Sequence, residues 1–252
     1  YNIWNGFEHD ASRRANFINW IKGQQPDILA MTELVGFTEK DLGQLASEYG
    51  HKYYAIVKEE GYPVGITSNE PITVVKKQME GFWHGMLHVK THGLDMIVTH
   101  LSPHDWKFRL KEAQMLTSYI QDNQLDNCMV MGDFNAYSPF DADWVETHAQ
   151  LIENMQKWDA EQETYRNMRD GRFDYSVLSK FLSIGLTDIC RLYVPADKRT
   201  TFPAAFLYGW QHGDTRLHGI GERLDYILVS PSLVSRCLDA RIHNGIETEG
   251  IS

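Results

Sequence analysis

The chain has 252 residues, of which 42% are hydrophobic, and this suffices for one substantial core. The charged fraction of 23% excludes a disordered or fibrous protein, and no apolar run is long enough for a membrane-spanning helix. The formal charge of -10 weakens an interpretation as a duplex nuclease without excluding it, because a local basic pocket or a bound cation could still attract a phosphate.

The first hundred residues alternate strand patterns with two helical patterns. The predicted helices are 11–25, with Ser12 as the expected cap, and 39–50, which ends in a glycine. The predicted strands are 1–4, 27–34, 52–57, 64–69, 72–78, 84–91 and 94–101.

The second part of the chain repeats this mixture and adds a polar helical stretch. An amphipathic helix is predicted at 107–123, and strands at 127–135, 200–204 and 223–230. Residues from about 137 to 180 carry nine acids against five bases, and we expect them to form a helical insertion over one rim of the fold. We find no linkers or repeats, so 1–252 is predicted to be one domain of mixed sheets with helices outside.

Polar side chains stand at the ends of several predicted apolar strands. In "MVMGDFN" an acid and an amide stand two residues apart, and in a strand such residues project to the same face. Oxygen-bearing groups at the carboxyl end of a strand suggest a hard metal or a phosphate site. The candidate residues of this kind are Asn2, Glu33, His100, Asp133, Asn135 and Asp225.

Each of these side chains also has an ordinary structural explanation. Glu33 could be an exposed acid after a strand, and His100 could be a hydrogen-bonded structural histidine. Asn2 could stabilise a turn, "GDFN" could be an Asx turn, and Asp225 could pair with Arg223. These explanations would have to hold independently at five places, so the shared pattern favours a single site.

Together the residues suit a phosphate ester held against Mg²⁺, with Mn²⁺ as a substitute. Mg²⁺ prefers oxygen ligands and takes one or two carboxylates, so Glu33 is the best first ligand, and Asn2 could add an oxygen or hold a bound water. His100 would donate to a non-bridging phosphate oxygen, and Asn135 would do the same or orient water. Asp133 would take the proton from the attacking water or position that water.

An ordered series of motifs covers nearly the whole chain. It consists of "YNIWNG", "PDILAMTE", "THLSP" followed by an arginine-bearing helix, "GDFNA", "GLTD", "TTFP" and "RLDYILVS". In this series the chain resembles the endonuclease/exonuclease/phosphatase superfamily. The resemblance implies an α/β fold, a four-layer α/β/β/α sandwich with two facing, mixed and largely antiparallel sheets and the site at one end. It also implies that the chemistry is carried by Asn2, Glu33, His100, Asp133, Asn135 and Asp225.

One family motif is incomplete. In the family a final serine-aspartate-histidine strand supplies a catalytic histidine, which the aspartate corresponding to Asp225 orients. Here the sequence stops at Ser252, so we expect the chain to be cut short at both ends. The alternative is a loss of the aspartate-histidine pair, which would leave a binder of metal or phosphate with little turnover.

The resulting functional hypothesis is a Mg²⁺-dependent hydrolase of phosphoesters, either phosphodiesters or phosphomonoesters. The alternatives are a non-catalytic metal- or phosphate-binding module on the same fold and a nucleic-acid endonuclease or exonuclease. The expected partner is a phosphoester substrate, whether a small molecule, a lipid head group or nucleic acid, and the expected state is a monomer. The loop from His104 to Trp106 could present an aromatic wall to a leaving group, whereas Arg109 is expected to be a surface or core-rim charge.

Overall fold

The computed structural model describes residues 1–204, 221–248 and 250–251. The strands in these residues are β1 Ile28–Met31, β2 Tyr53–Ile56, β3 Gly65–Ser68, β4 Thr73–Gln78, β5 Met86–Thr91, β6 Leu94–His100, β7 Cys128–Asp133, β8 Thr187–Asp188 and β9 Asp225–Val229. The helices are α1 Ala11–Gln24, α2 Glu39–Glu48, α3 Trp106–Asp122, α4 Ala142–Glu146, α5 Ala149–Glu161, α6 Ser176–Ser183, α7 Ile189–Tyr193 and α8 Pro231–Val234. None of these helices is long and apolar enough to cross a membrane.

The strands form two sheets that face each other. The smaller sheet has the order β1-β3-β2, and the larger one has the order β4-β5-β6-β7-β9-β8. All pairs are antiparallel except β6 with β7, which are joined by helix α3, as a parallel pair requires a crossover. Apolar side chains from both sheets fill the space between them, including Ile66 of β3, Leu87 of β5 and Val98 of β6.

Helices cover the outer face of each sheet. Phe17 of α1 and Leu42 of α2 pack with Met31 of β1 in one buried cluster. Leu116 of α3 and Phe181 of α6 are buried on the larger sheet. Full burial of one such side chain stabilises a fold by about 1.5–3 kcal/mol. The layer order helix, sheet, sheet, helix confirms the predicted α/β sandwich.

Local side-chain chemistry sets the helix ends. Asp10, and not Ser12, caps α1, because its carboxylate accepts hydrogen bonds from two backbone N–H groups in the first turn. Ile18 and Ile21 lie on the buried face of this helix, whereas Ala15 is exposed. Asp105 caps α3 in the same way, by accepting from the amides of Lys107 and Phe108. The helix that follows the "THLSP" motif therefore begins at Trp106.

Two predicted strands are shorter than expected. Residues 1–4 contribute only a parallel bridge between Asn2 and Thr32, and residues 200–204 contribute only a bridge between Phe202 and Glu222. The turn at 4–9 follows the first of these bridges with backbone φ angles that are all positive. Such a run is rare for residues other than glycine and reverses the usual handedness of the chain.

The polar stretch at 137–180 contains α4, α5 and most of α6. It has a small apolar cluster of its own, made by Tyr137, Val145, Leu151, Met168 and Phe173. The stretch 208–224 before Asp225 is rich in glycine, histidine and aromatic residues, which makes it a candidate substrate loop, and its part at 208–220 lies outside the described residues.

Candidate metal and phosphate site

Three polar side chains form one row across the larger sheet. His100 ends β6, Asp133 ends β7 and Asp225 begins β9, and the strand register pairs Asp133 with both of the others. Residues that are partners in register project to the same face of a sheet. Gly132 allows the strands to meet here, because a Cβ atom at this position would lie 1.8 Å from the Thr99 carbonyl oxygen. The sheet geometry alone therefore brings this part of the site together.

Glu33 approaches the same place from the smaller sheet. It follows β1 with a φ of 59°, a left-handed conformation that strains a residue with a side chain. The amide of Asn5 donates to Glu33 Oε2 at 2.9 Å, and Asn2 Nδ2 donates to Glu33 Oε1 at 3.0 Å. Asn2 Nδ2 also lies 3.5 Å from Asp133 Oδ2, so this asparagine bridges the two sheets.

Glu33 from the smaller sheet meets His100 and Asp133 of the larger sheet in a compact group of possible metal ligands. One ligand atom each from Glu33, His100 and Asp133 lies within 4.8 Å of the other two, and all three residues are buried. His100 Nε2 is 3.6 Å from Asp133 Oδ2. His100 Nδ1 is buried without a hydrogen-bond partner in the part of the chain that the structure describes. Two carboxylates and an imidazole at this spacing could hold a divalent cation.

Burial shifts the pKa values of the three residues in the row. It raises the pKa of Asp133 to about 7, and the neighbouring charge of Glu33 acts in the same direction. Burial, followed by the charge of Asp133, raises the pKa of Asp225 to about 7. Burial also lowers the pKa of His100 to about 4. A bound cation would favour the ionised carboxylates, which burial alone disfavours.

Hydrogen bonds within the chain hold the side chains of both asparagines. The side-chain oxygen of Asn2 accepts from the amide of Trp4 at 2.8 Å, so Asn2 faces the cluster with its NH₂ group, which cannot bind a metal ion. Asn135 lies beyond the end of β7 with a φ of 47°, so strand alternation does not place it beside Asp133. Instead its backbone N–H donates to Asp133 Oδ1 at 2.9 Å in an Asx turn, and its side-chain Nδ2 donates to the Leu101 carbonyl at 3.0 Å.

Asp225 lies apart from the three clustered ligand atoms. Its backbone N–H and that of Leu224 donate to the hydroxyl of Thr201, which also bonds to the carboxylate. No imidazole contacts Asp225 among the described residues, which exclude Ser252.

The predicted site residues include neither His84 nor Glu112. The ring of His84 lies 4.3 Å from the ring of His100, and the residue is 6% exposed. The fully buried Glu112 accepts from the amides of Trp83 and Ser102, each at 2.8 Å, and so joins the loops that precede β5 and follow β6. The histidine in "GFWHG" was a visible signal for the first residue, whereas nothing in the sequence signals the second.

Arg109 is also more deeply placed than a surface or core-rim charge. It is 2% exposed, and its guanidinium donates to the Ser102 carbonyl at 3.0 Å and to Asn167 Oδ1 at 2.7 Å. Arg109 therefore ties the polar helical stretch to the loop that follows His100.

Solved structures of nucleic-acid enzymes share this fold. An AP endonuclease from Archaeoglobus fulgidus is 21% identical with a TM-score of 0.64, over 94% of this chain and 88% of that chain. The 3′-5′ exonuclease NExo from Neisseria meningitidis is 20% identical with a TM-score of 0.63, over 91% and 86%. A 3′ phosphatase NExo from Neisseria, bound to product DNA hairpin, is 18% identical with a TM-score of 0.62, over 92% and 86%. At these identities the likeness establishes the fold alone.

Sequence comparison defines the family. No curated protein matches the chain significantly. The model of the "Endonuclease/Exonuclease/phosphatase family", in contrast, matches residues 1–246. This match spans both sheets and every candidate site residue. The chain therefore belongs to the endonuclease/exonuclease/phosphatase family.

Proposed function

We propose that this chain is a phosphoester hydrolase that depends on a divalent metal ion, Mg²⁺ with Mn²⁺ as a substitute, and acts on phosphodiesters or phosphomonoesters. The observation that carries the proposal is the buried convergence of Glu33, His100 and Asp133 within 4.8 Å. Membership of the endonuclease/exonuclease/phosphatase family supports the reaction class.

The donor set fits a hard divalent cation. Glu33 and Asp133 are buried close together, and neither forms an ion pair with a lysine or arginine among the described residues. Two buried carboxylates that no lysine or arginine contacts are costly, and a cation offsets that cost. Carboxylate oxygen suits Mg²⁺ and Mn²⁺ better than imidazole does, so we assign Glu33 to the metal and His100 to the phosphate. The bound ion would neutralise charge on the phosphate oxygens and acidify a bound water.

The residues of the chain then have separate tasks. Asn5 and Asn2 hold the Glu33 carboxylate through hydrogen bonds to its two oxygens. His100 donates from a ring nitrogen to a non-bridging phosphate oxygen, since its Nδ1 has no partner among the described residues. Asp133 accepts the proton of the attacking water, which lies in line with the leaving group.

Asn135 and Asp225 have supporting tasks. Asn135 N–H holds Asp133 Oδ1, and the second hydrogen of its NH₂ group is free of the Leu101 bond and could reach the phosphate. We assign Asp225 to the orientation of a catalytic imidazole, as the family resemblance implies.

The test uses a panel of aryl phosphomonoesters and phosphodiesters with Mg²⁺ or Mn²⁺. We expect hydrolysis that EDTA abolishes, together with a rise in thermal stability when the metal is added, because a ligand that binds only the folded state stabilises it. The Glu33→Gln variant should lose both responses, and the Glu153→Gln variant, at an exposed position, should keep them.

Two results would count against this function. If no ester of the panel is hydrolysed in an EDTA-sensitive manner, the catalytic proposal fails. If the metal still stabilises the protein through Glu33 in that case, the chain is a non-catalytic metal-binding module.

A further inference from the structure

A group of aromatic rings beside the candidate site takes no part in the proposed chemistry. The ring of Trp83 lies 5.5 Å from that of His104 and 5.8 Å from that of Tyr165. His104 and Tyr165 are stacked at 5.7 Å with an angle of 25° between their planes. We call these three rings the aromatic rim. Tyr165 is 38% exposed and the other two are half-buried, so the rim faces solvent although its rings come from three separate segments.

The aromatic rim adjoins the group of possible metal ligands. Trp83 precedes His84, whose ring lies 4.3 Å from that of His100. His104 is only four residues beyond His100, at the other side of the same loop. Glu112 fixes the backbone of Trp83 by accepting from its amide at 2.8 Å. Trp83 and His104 therefore lie on the two loops that flank His100, one before β5 and one after β6.

Basic side chains border the aromatic rim. Lys107, Arg166 and Arg169 are exposed. Two of them lie near the ring of Trp106, with Lys107 Nζ at 5.6 Å and the Arg169 guanidinium at 5.0 Å from its centre. The backbone carbonyl of Arg166 accepts a hydrogen bond from the backbone amide of Trp106 at 2.9 Å. This bond joins the start of α3 to the segment that carries Tyr165 and Arg166. Acids lie close by as well, because the stretch from 137 to 180 carries nine acids against five bases and Arg169 Nη1 is 3.9 Å from Asp174 Oδ1.

We propose that the aromatic rim is a stacking subsite for an unpaired nucleobase of the substrate, and that Lys107, Arg166 and Arg169 contact the phosphates beside that base. The inference rests on the proposed function and narrows its substrate to single-stranded nucleic acid or an unpaired strand end. Every base has a flat face that stacks on aromatic rings, and cationic side chains follow the backbone. A lipid head group or a sugar phosphate offers no flat ring to such a surface.

The test measures binding, so it does not depend on turnover. Two fluorescently labelled DNA hexanucleotides are compared by anisotropy in EDTA, one with all its bases and one with abasic residues but the same phosphates. We expect the base-bearing strand to bind about tenfold more tightly, the order expected for one base on an aromatic ring. The Tyr165→Ala variant should lose most of this preference and leave the affinity for the abasic strand unchanged.

The controls separate stacking from other effects. Tyr165→Phe keeps a ring and should bind both strands as the wild type does, and so should Tyr53→Ala, at a tyrosine on β2 that is also 38% exposed. Arg169→Gln should weaken the binding of both strands equally, because a contact to phosphate does not depend on the presence of a base. It should also reduce the dependence of binding on salt.

The subsite and the proposed function fail in different ways. Equal affinity for the two strands, or an equal loss for both in Tyr165→Ala, would overturn the subsite even if phosphoesters are hydrolysed. A preference for the base-bearing strand that depends on Tyr165 would support the subsite even if no ester of the panel is cleaved.

Discussion

The two sheets contribute to the candidate site in different ways. The larger sheet supplies His100, Asp133 and Asp225 from three neighbouring strands, and the strand register places them in one row. The smaller sheet supplies Glu33 from a strained residue after β1, and hydrogen bonds from Asn2 and Asn5 hold it. One half is therefore positioned by the backbone ladder and the other by individual amide groups. Substitutions in the larger sheet and substitutions around Glu33 should therefore have different effects.

The largest effect is expected at the centre of the row. Asp133→Asn removes the proposed proton acceptor but keeps its shape, so hydrolysis of an aryl phosphodiester should fall about 10²–10⁴-fold, the range for a lost general base. Folding should be retained, because the substitution removes a buried charge. The measurement is kcat with urea unfolding alongside, and Asp122→Asn at the exposed end of α3 is the control. Activity within twofold of the wild type would remove Asp133 from the chemistry.

The next effect tests the backbone ladder itself. Gly132→Ala would place a Cβ atom 1.8 Å from the Thr99 carbonyl oxygen, where β6 and β7 meet. We expect a loss in the free energy of unfolding of several kcal/mol, on the order of the largest single-residue effects. Gly93→Ala is the matched control, because Gly93 also has a positive φ but nothing within 4 Å of the position of an added Cβ atom, and it should cost only about 1–2 kcal/mol. Equal costs in urea unfolding would show that register does not depend on this contact.

A smaller effect is expected for the loops around His100. In Glu112→Gln an NH₂ group replaces one of the two oxygens that accept from Trp83 and Ser102. One buried amide then loses its acceptor, which should cost about 1–3 kcal/mol in the free energy of unfolding. We also expect a lower kcat, because these loops carry His84 and His100. Glu80→Gln, at an exposed position in the same region, should change neither quantity, and an unchanged Glu112 variant would exclude a role in positioning.

The last effect concerns pH and lies outside the site. Burial raises the pKa of Glu222 to about 7, although the hydroxyl of Tyr137 donates to its carboxylate. The folded state therefore holds this proton to a higher pH than the unfolded state, whose glutamates titrate at about 4.5. The stability contribution is fully present below about pH 4.5 and is lost as the pH rises through about 7.

The variant Glu222→Gln isolates this contribution. It keeps an acceptor for Tyr137 and has no carboxyl proton to lose. The free energy of unfolding of the variant, relative to that of the wild type, should therefore rise between about pH 4.5 and about pH 7. Urea unfolding at several pH values measures the difference. A difference that stays constant with pH would mean that the carboxyl group ionises alike in the folded and unfolded states.

Apolar strands and amphipathic helices predicted mixed sheets with helices outside, because these local patterns follow from burial on one face. The α/β sandwich was implied by the resemblance that the ordered motifs carry, and the structure and the family match confirm it. The boundaries of 1–252 as one domain and the description of 137–180 as an insertion stay predictions. Errors occurred where tertiary contacts decide, as at 1–4 and 200–204, which form only single bridges.

The candidate side chains of the site could be read from the sequence, because apolar runs stop at polar residues where strands end, and their roles stay predictions. Three features could not be read from it: that Asn2 faces the cluster with its NH₂ group, that an Asx turn holds Asn135, and that Glu112 joins two loops. Hydrogen bonds between distant segments depend on the packing of the sheets and on left-handed turns, and no local sequence pattern encodes these.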